Sequence, residues 1–359
     1  MGNVGEVVLR DLTKRYNGQT VVNGISIDIR PGEFVSILGP SGCGKTTTLR
    51  MIAGLITPDS GAIEISGRPV TKLPPWERNC GFVFQSYALF PHLTVFENIA
   101  YGLRIRKWPQ ARIESKVKEL ADILGLADFL QRRPRMLSGG QQQRVAVARA
   151  LAIEPDVMLM DEPLANLDAK LREHVRFELR RIQTQTGVTV VYVTHDQAEA
   201  FALSDRVIVM NHGLVDQIGS PMEVYTRPDS AFVASFVGSN NMLPVEILES
   251  HGNTVSARWG DQVLQGRTWK EFSPGDGALA VIAAQDFQLA DRSGEGGRNR
   301  LVGTLSEMVF LGTHYRLVLQ TTAGSIFAEL PRASVDPAVC RVGEKVTLSA
   351  SEVLFILKD

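Results

Sequence analysis

The sequence predicts an α/β layer domain with a largely parallel sheet and a helical insert, followed by a small all-β domain. Two observations carry that reading. From about Val7 to Val237, short β-branched runs alternate with longer helical patterns. After Gly238-Ser239-Asn240-Asn241 the text turns to short alternating strands, separated by Gly, Asp and Pro turns, as far as Asp359. At 359 residues the chain is long enough for two domains. The expected division is therefore 1–238 and 239–359.

Phe34-Val35-Ser36-Ile37-Leu38 reads as a buried strand, and a helical stretch from Thr46 to Gly54 follows it. Between Ser86 and Pro134 the strand signal disappears. Apolar residues recur there at Ile113, Val117, Leu120, Ala121, Ile123 and Leu124, the spacing of one helix face, so a helical subdomain is expected at about 86–150. Val157-Met158-Leu159-Met160, Val188 to Val193 and Val207 to Met210 resume the buried-strand pattern. In the second domain, Thr254 to Trp259 and Tyr315 to Leu319 alternate as strands of a small barrel or sandwich. Arg292 to Arg298 reads as a flexible turn.

Composition narrows the class. Lys plus Arg (38) nearly balance Asp plus Glu (39), which removes the basic excess expected of a nucleic-acid binder. No stretch approaches the roughly 18 uninterrupted apolar residues of a membrane span. The opening residues lack the basic-then-apolar layout of an export signal, and Glu6 stands where myristoylation wants Ser or Thr. Cys43, Cys80 and Cys340 are scattered and odd in number, as in reduced cytosolic proteins without a disulfide frame or zinc site.

Gly39-Pro40-Ser41-Gly42-Cys43-Gly44-Lys45-Thr46 matches the G-x-x-x-x-G-K-[ST] phosphate loop, between a strand and a helix as that pattern demands. Its glycines let backbone N–H groups converge on phosphate oxygens, and the helix N-terminus adds a favourable dipole. Lys45 is expected to reach the β- and γ-phosphates, the Thr46 hydroxyl to hold Mg²⁺, and Thr47 to line the same site. Alone, the loop means only that a nucleoside triphosphate binds; kinases, GTPases and motors share it. The strand Val157 to Met160 ends in Asp161-Glu162. Asp161 suits Mg²⁺, and Glu162, one residue on, suits polarising the attacking water.

Leu137-Ser138-Gly139-Gly140-Gln141, leading into a helical run, resembles the signature motif of ATP-binding cassette (ABC) ATPases. Ser138 would cap a helix whose opening glycines expose N–H groups, a second phosphate-binding start. The resemblance implies a homodimer in which the signature of one protomer closes over ATP held by its partner's phosphate loop. It also implies that Tyr16 stacks on adenine, that Gln85 touches Mg²⁺ and water and hinges the insert, that Asp168 links the two sites, and that His195 bonds the γ-phosphate. Glu162, His195, Gln85 and Lys45 are the catalytic set so implied; Thr46, Gln85 and Asp161 are the metal set.

The single cassette with an added β-domain is similar to the ATP-hydrolysing subunits of bacterial importers. Asp161 to Arg172 resembles the branch serving polyamine, ferric-iron, opine and sugar uptake, whose C-terminal domain is an oligonucleotide-binding-type (TOBE-type) barrel used for dimer contacts and regulation. Val302-Gly303-Thr304 and Phe310-Leu311-Gly312 fit its strands, whereas Ala283-Ala284-Gln285 replaces the branch's Arg-Pro-Glu turn. The barrel does not imply nucleic acid, because the aromatic and basic interleaving such binding needs is absent. The expected partners are integral membrane permease subunits, docked on Ser86 to Pro91, and indirectly an extracytoplasmic solute-binding protein. The expected location is peripheral, on the cytoplasmic face of the inner membrane. Phe84 to His92 is closer to the polyamine side than to the sugar side. The alternatives are a sugar importer ATPase or a channel-free cassette ATPase acting on ribosomes or DNA; the latter usually carry two cassettes, a long coiled coil or a zinc insertion.

Overall fold

A computed structural model describes residues 4–290, 299–336 and 340–358. The turn expected at Arg292 to Arg298, and Met1 to Asn3 of the opening, lie outside them. The described chain forms two compact units, residues 1–223 and 224–359.

The first unit runs β1 (Val7–Tyr16), β2 (Gln19–Ile29), β3 (Phe34–Leu38), α1 (Lys45–Ala53), β4 (Ser60–Ile65), β5 (Arg68–Pro69), β6 (Cys80–Val83), α2 (Val95–Ile105), α3 (Gln110–Ile123) and α4 (Gly139–Ala152). It continues through β7 (Val157–Asp161), α5 (Ala169–Thr186), β8 (Thr189–Thr194), α6 (Gln197–Leu203), β9 (Arg206–Asn211) and β10 (Leu214–Gly219). Two sheets form: antiparallel β2-β1-β4-β5, and β10-β9-β3-β8-β7-β6, parallel except for its β10 edge. The antiparallel sheet is not foreshadowed by the α/β alternation.

The parallel strands have no polar face because both faces are covered. Every residue of β3, β7 and β8 is buried. Alternation instead sorts side chains between two cores. Val157, Leu159, Val191 and Val193 join α1 and the antiparallel sheet. Met158, Met160, Val190 and Tyr192 join the helical insert and α5. The insert is built as its spacing predicts: Ile113, Val117, Leu120, Ala121 and Leu124 are buried together with Ile99, Leu103 and Val145, and Ile123 packs at the margin. Its first helix starts on a reciprocal cap, Thr94 Oγ1 accepting from the Glu97 N–H while Glu97 accepts from the Thr94 N–H.

The second unit contains the end of α7 (Pro221–Thr226), then α8 (Ala231–Phe236), β11 (Asn240–His251), β12 (Thr254–Trp259), β13 (Gln262–Thr268), β14 (Gly277–Ala283), β15 (Phe287–Leu289), β16 (Arg300–Phe310), β17 (His314–Gln320), β18 (Ser325–Pro331), β19 (Lys345–Ala350) and β20 (Leu354–Leu357). Strands β11-β12-β13-β20-β14 close a barrel, and β15-β19-β16-β17-β18 form a second sheet. One core serves both, with Trp259, Phe287, Leu301, Leu317 and Phe355 buried in it. Closure removes the edges of the first sheet, while the second keeps β15 and β18 as its edge strands.

Two differences from expectation have local causes. The units divide at 223/224 instead of 238/239, because Ala234 of α8 is buried against Val281 and Ile356 of the barrel. Phe310 ends β16, but Leu311-Gly312 is the turn into β17, with Gly312 at φ +89°. Ala283-Ala284-Gln285 leaves β14 for a single 3₁₀ turn.

Candidate functional site

The loop joining β3 to α1 wraps a cavity of about 210 Å³ lined by Val21, Ser41, Gly42, Gly44, Lys45, Thr46, Thr47 and Glu162. Gly44 stands at the cap position before helix α1, with a φ of +105° that is open to glycine and strained for other residues. A Cβ there would also stand 2.6 Å from the Val21 carbonyl. No side chain caps this helix, so its first N–H groups face the cavity. Lys45 is buried, with its ammonium donating to the Gly39 and Pro40 carbonyls at 2.8 Å each. Beside it, burial pushes the Cys43 thiol up, by more than the Lys45 charge pulls it down. Cys43 is thus a neutral packing residue at neutral pH.

Distant segments complete the site. The Thr46 hydroxyl donates to Asp161 Oδ1 at 2.9 Å, and Arg50 Nη2 stands 3.4 Å from Asp161 Oδ2. Glu162 follows at φ +44°, left-handed backbone that a glutamate adopts only where its surroundings compel it. Its N–H donates to the Val193 carbonyl at 3.0 Å, which fixes the turn at the strand end. Its carboxylate is held from both sides. Gln85 Nε2 donates to Oε2 at 3.2 Å, and His195 Nδ1 lies 3.1 Å from Oε1. The tertiary fold therefore brings Gly39 to Thr47, Gln85, Asp161, Glu162 and His195 into one cluster.

Three predicted groups stay outside that cluster. Tyr16 ends β1, half-exposed, with the Lys14 ammonium 5.4 Å from its ring centre. Asp168 caps α5, its Oδ1 accepting from the Leu171 N–H at 2.9 Å. Ser138, Gly139, Gly140 and Gln141 open α4 away from the cavity lining, with Ser138 Oγ accepting from the Gln141 N–H and Gln141 Oε1 accepting from the Ser138 N–H. Gly139 and Gly140 pack closely, since a Cβ would meet the Leu167 side chain at 3.0 Å or the Leu171 side chain at 3.1 Å. Within the expected docking run, Tyr87 is buried at 5% exposure, so its ring belongs to the core and not to the surface.

Two site residues carry no signal of their own in the sequence. Val21 reaches the cavity wall only because the β1–β2 hairpin packs on Gly44. Asn166 Nδ2 donates to the Gln85 carbonyl at 2.8 Å and so fixes where that glutamine starts. A polar residue one turn after the acid pair was visible in the sequence, but its target lies 81 residues away.

A phosphate loop between parallel strand and helix, with acids at the end of a strand one removed in the same sheet, defines a P-loop nucleoside-triphosphatase. The comparisons narrow the class. Residues 22–165 match the ABC transporter family model, and residues 281–355 match the TOBE domain. The spermidine/putrescine import ATP-binding protein PotA of Acidothermus cellulolyticus is 45% identical over 321 residues, 88% of this chain and 84% of that protein. An Fe(3+) ions import ATP-binding protein of Rhizobium meliloti is 44% identical over 341 residues, 94% of this chain and 92% of that one. Among solved structures, cbiO1 of Clostridium perfringens, part of an ABC transporter complex, is 29% identical with TM-score 0.58, covering 63% of this chain and 92% of its own. A dimeric ATP-binding cassette bound to ADP and Pi is 36% identical with TM-score 0.54, covering 60% of this chain and 98% of its own. The chain belongs to the ABC transporter family, as an ATP-binding, ATP-hydrolysing subunit of the import type with a C-terminal TOBE domain. Among the described residues, no helix is long and apolar enough to cross a membrane.

Proposed function

We propose that this chain is the motor of an importer for a polyamine-like solute. It would work as a homodimer on permease subunits at the cytoplasmic face of the inner membrane, fed indirectly by an extracytoplasmic solute-binding protein. The observation that carries the reading is the grip on Glu162, held between Gln85 and His195 at the mouth of the phosphate-loop cavity. The likeness to spermidine/putrescine import subunits supports the cargo class. The ferric-iron relative at 44% identity keeps that cargo as the second reading.

In this reading the α1 start and Lys45 hold the triphosphate, and Tyr16 takes the adenine. Thr46, Asp161 and Gln85 offer an all-oxygen donor set, which fits Mg²⁺. When bound, that ion would offset phosphate charge. Glu162 accepts a proton from the attacking water, with Gln85 and His195 keeping its two oxygens in place. Ser138 to Gln141 of the partner subunit's signature and Asp168 complete the site when two cassettes close. Shifting an open pair almost wholly to closed takes about 5.5 kcal/mol of differential binding, a reasonable demand on two shared triphosphates. The loop from Ser86 to Pro91 docks the permease, the insert at 86–150 moves with it, and the C-terminal unit serves dimer contacts and regulation.

The test is labelled uptake in cells lacking this chain, rescued with wild type or Glu162→Gln, on a panel of putrescine, spermidine, ferric iron and sugars. Putrescine or spermidine uptake should return with wild type only. Return of ferric iron alone would favour the second reading, and equal rescue by Glu162→Gln would remove the role given to Glu162. The same variant should dimerise with ATP on gel filtration.

A further inference from the structure

The loop between β6 and α2 follows a costly path. Tyr87 and Ala88 are consecutive left-handed residues, φ +62° and +46°, and neither is glycine or asparagine. The same path buries the Tyr87 hydroxyl without a protein hydrogen-bond partner. Something outside the loop must hold it there.

Three side chains do so. Asn166 grips the Gln85 carbonyl at one end. Fully buried Asn98 of α2 grips Phe90 at the other, accepting from its N–H at 2.9 Å and donating to its carbonyl at 3.2 Å. The strained centre is held by Arg149, whose Nη1 donates to the Ala88 carbonyl at 2.7 Å and whose Nη2 donates to the Tyr87 carbonyl at 2.9 Å. Its guanidinium carbon also stands 5.5 Å from the centre of the Phe90 ring. The planar fork meets the two adjacent carbonyls from two separate nitrogens in fixed geometry, whereas a lysine would have to reach both from one nitrogen on a flexible stem. Arg149 sits in the last turn of α4, the helix that Ser138 opens.

We propose that Arg149 is a positioning residue that couples the helix opening at Ser138 to the loop carrying Gln85 and the docking run, by clamping Tyr87 and Ala88 in left-handed backbone. Displacement of α4 then moves the loop through two charged hydrogen bonds, and the loop sets where Gln85 meets Glu162. What the loop docks rests on the functional reading above; the clamp rests on its own geometry.

The experiment uses the purified full chain and two measurements: amide hydrogen exchange without nucleotide, and steady-state ATP hydrolysis. Arg149→Lys should raise exchange across 84–91 by about fivefold or more while β3 and β8 keep wild-type protection. Its kcat should fall about three- to tenfold with KM for ATP within about twofold, as expected when only the placement of a catalytic group is disturbed. Adding Ala88→Gly, which accepts a φ of +46° without a Cβ penalty, should recover more than half of both losses. Unchanged exchange at 84–91, or a rise shared equally by β3 and β8, would overturn the clamp, as would absence of recovery with Ala88→Gly. Should Arg149→Lys not fold, Arg149→Gln reads the same quantities. If wild type hydrolyses no ATP, the functional reading fails, and the exchange data still decide the clamp.

Discussion

Helices α1 and α4 both begin with glycine beside a polar residue, yet their first turns are finished differently. At α1 the cap position is Gly44 with no side-chain acceptor, so the N–H groups open onto a cavity that already holds Lys45 and Glu162. At α4 a reciprocal cap satisfies the Ser138 and Gln141 N–H groups, and the two glycines pack under Leu167 and Leu171. The first is the proposed phosphate site, with Lys45, Thr46 and Glu162 of its own chain lining the cavity in front of it. The second lies outside that cavity's lining, and its proposed ligand would have to arrive from a partner subunit. A helix N-terminus supplies a dipole of fractional charge; what makes it a site is what the rest of the fold sets in front of it.

The largest expected effect should widen that contrast. Lys45→Ala removes the buried ammonium from the α1 site and should lower ATP hydrolysis by about 100-fold or more, as loss of a charged stabiliser does. ATP affinity, read by fluorescent-nucleotide titration, should fall with it. If Lys45→Ala keeps near-wild-type affinity and turnover, the α1 site has been misread.

A matched glycine pair comes next. Gly44→Ala places a Cβ 2.6 Å from a backbone carbonyl on a left-handed residue, so the phosphate loop itself must move. Gly140→Ala meets only the Leu171 side chain, at 3.1 Å, which can turn aside. Thermal melting should therefore drop clearly for Gly44→Ala, by about 2 kcal/mol or more, and by less than about 1 kcal/mol for Gly140→Ala. Equal losses would dissolve the distinction between the two helix starts.

The smallest effect isolates the cap. Ser138→Ala should cost about 1 kcal/mol of stability. Nucleotide binding by monomeric protein should be unchanged, because Ser138 lies outside the cavity lining. Weakened monomer affinity would mean that α4 reaches the nucleotide of its own chain.

Contiguous signals were the legible ones. The phosphate loop, the acid pair ending β7, the buried strands and the helix face from Ile113 to Leu124 could all be found because each is encoded by near neighbours at a fixed period. The antiparallel sheet is not given by local pattern alone: Ile25, Ile27 and Ile29 alternate as a half-buried strand, but which strands pair, across an irregular β1–β2 register, is decided by tertiary contacts. The contact of Ala234 in α8 with Val281 and Ile356 of the barrel is likewise encoded by no local pattern. Val21, Asn166 and Arg149 were illegible as site residues; each acts through a backbone atom or cavity that no local pattern encodes.

By itself the sequence determined the fold class, the ABC family resemblance and the identity of the triphosphate loop, because backbone geometry and helix polarity there follow from adjacent residues. Only the tertiary structure decided which groups meet. Thr46 finds Asp161 across 115 positions, and Gln85 finds Glu162 across 77. Parallel strands end side by side at one edge of the sheet, so side chains far apart in the chain are delivered to a single cavity.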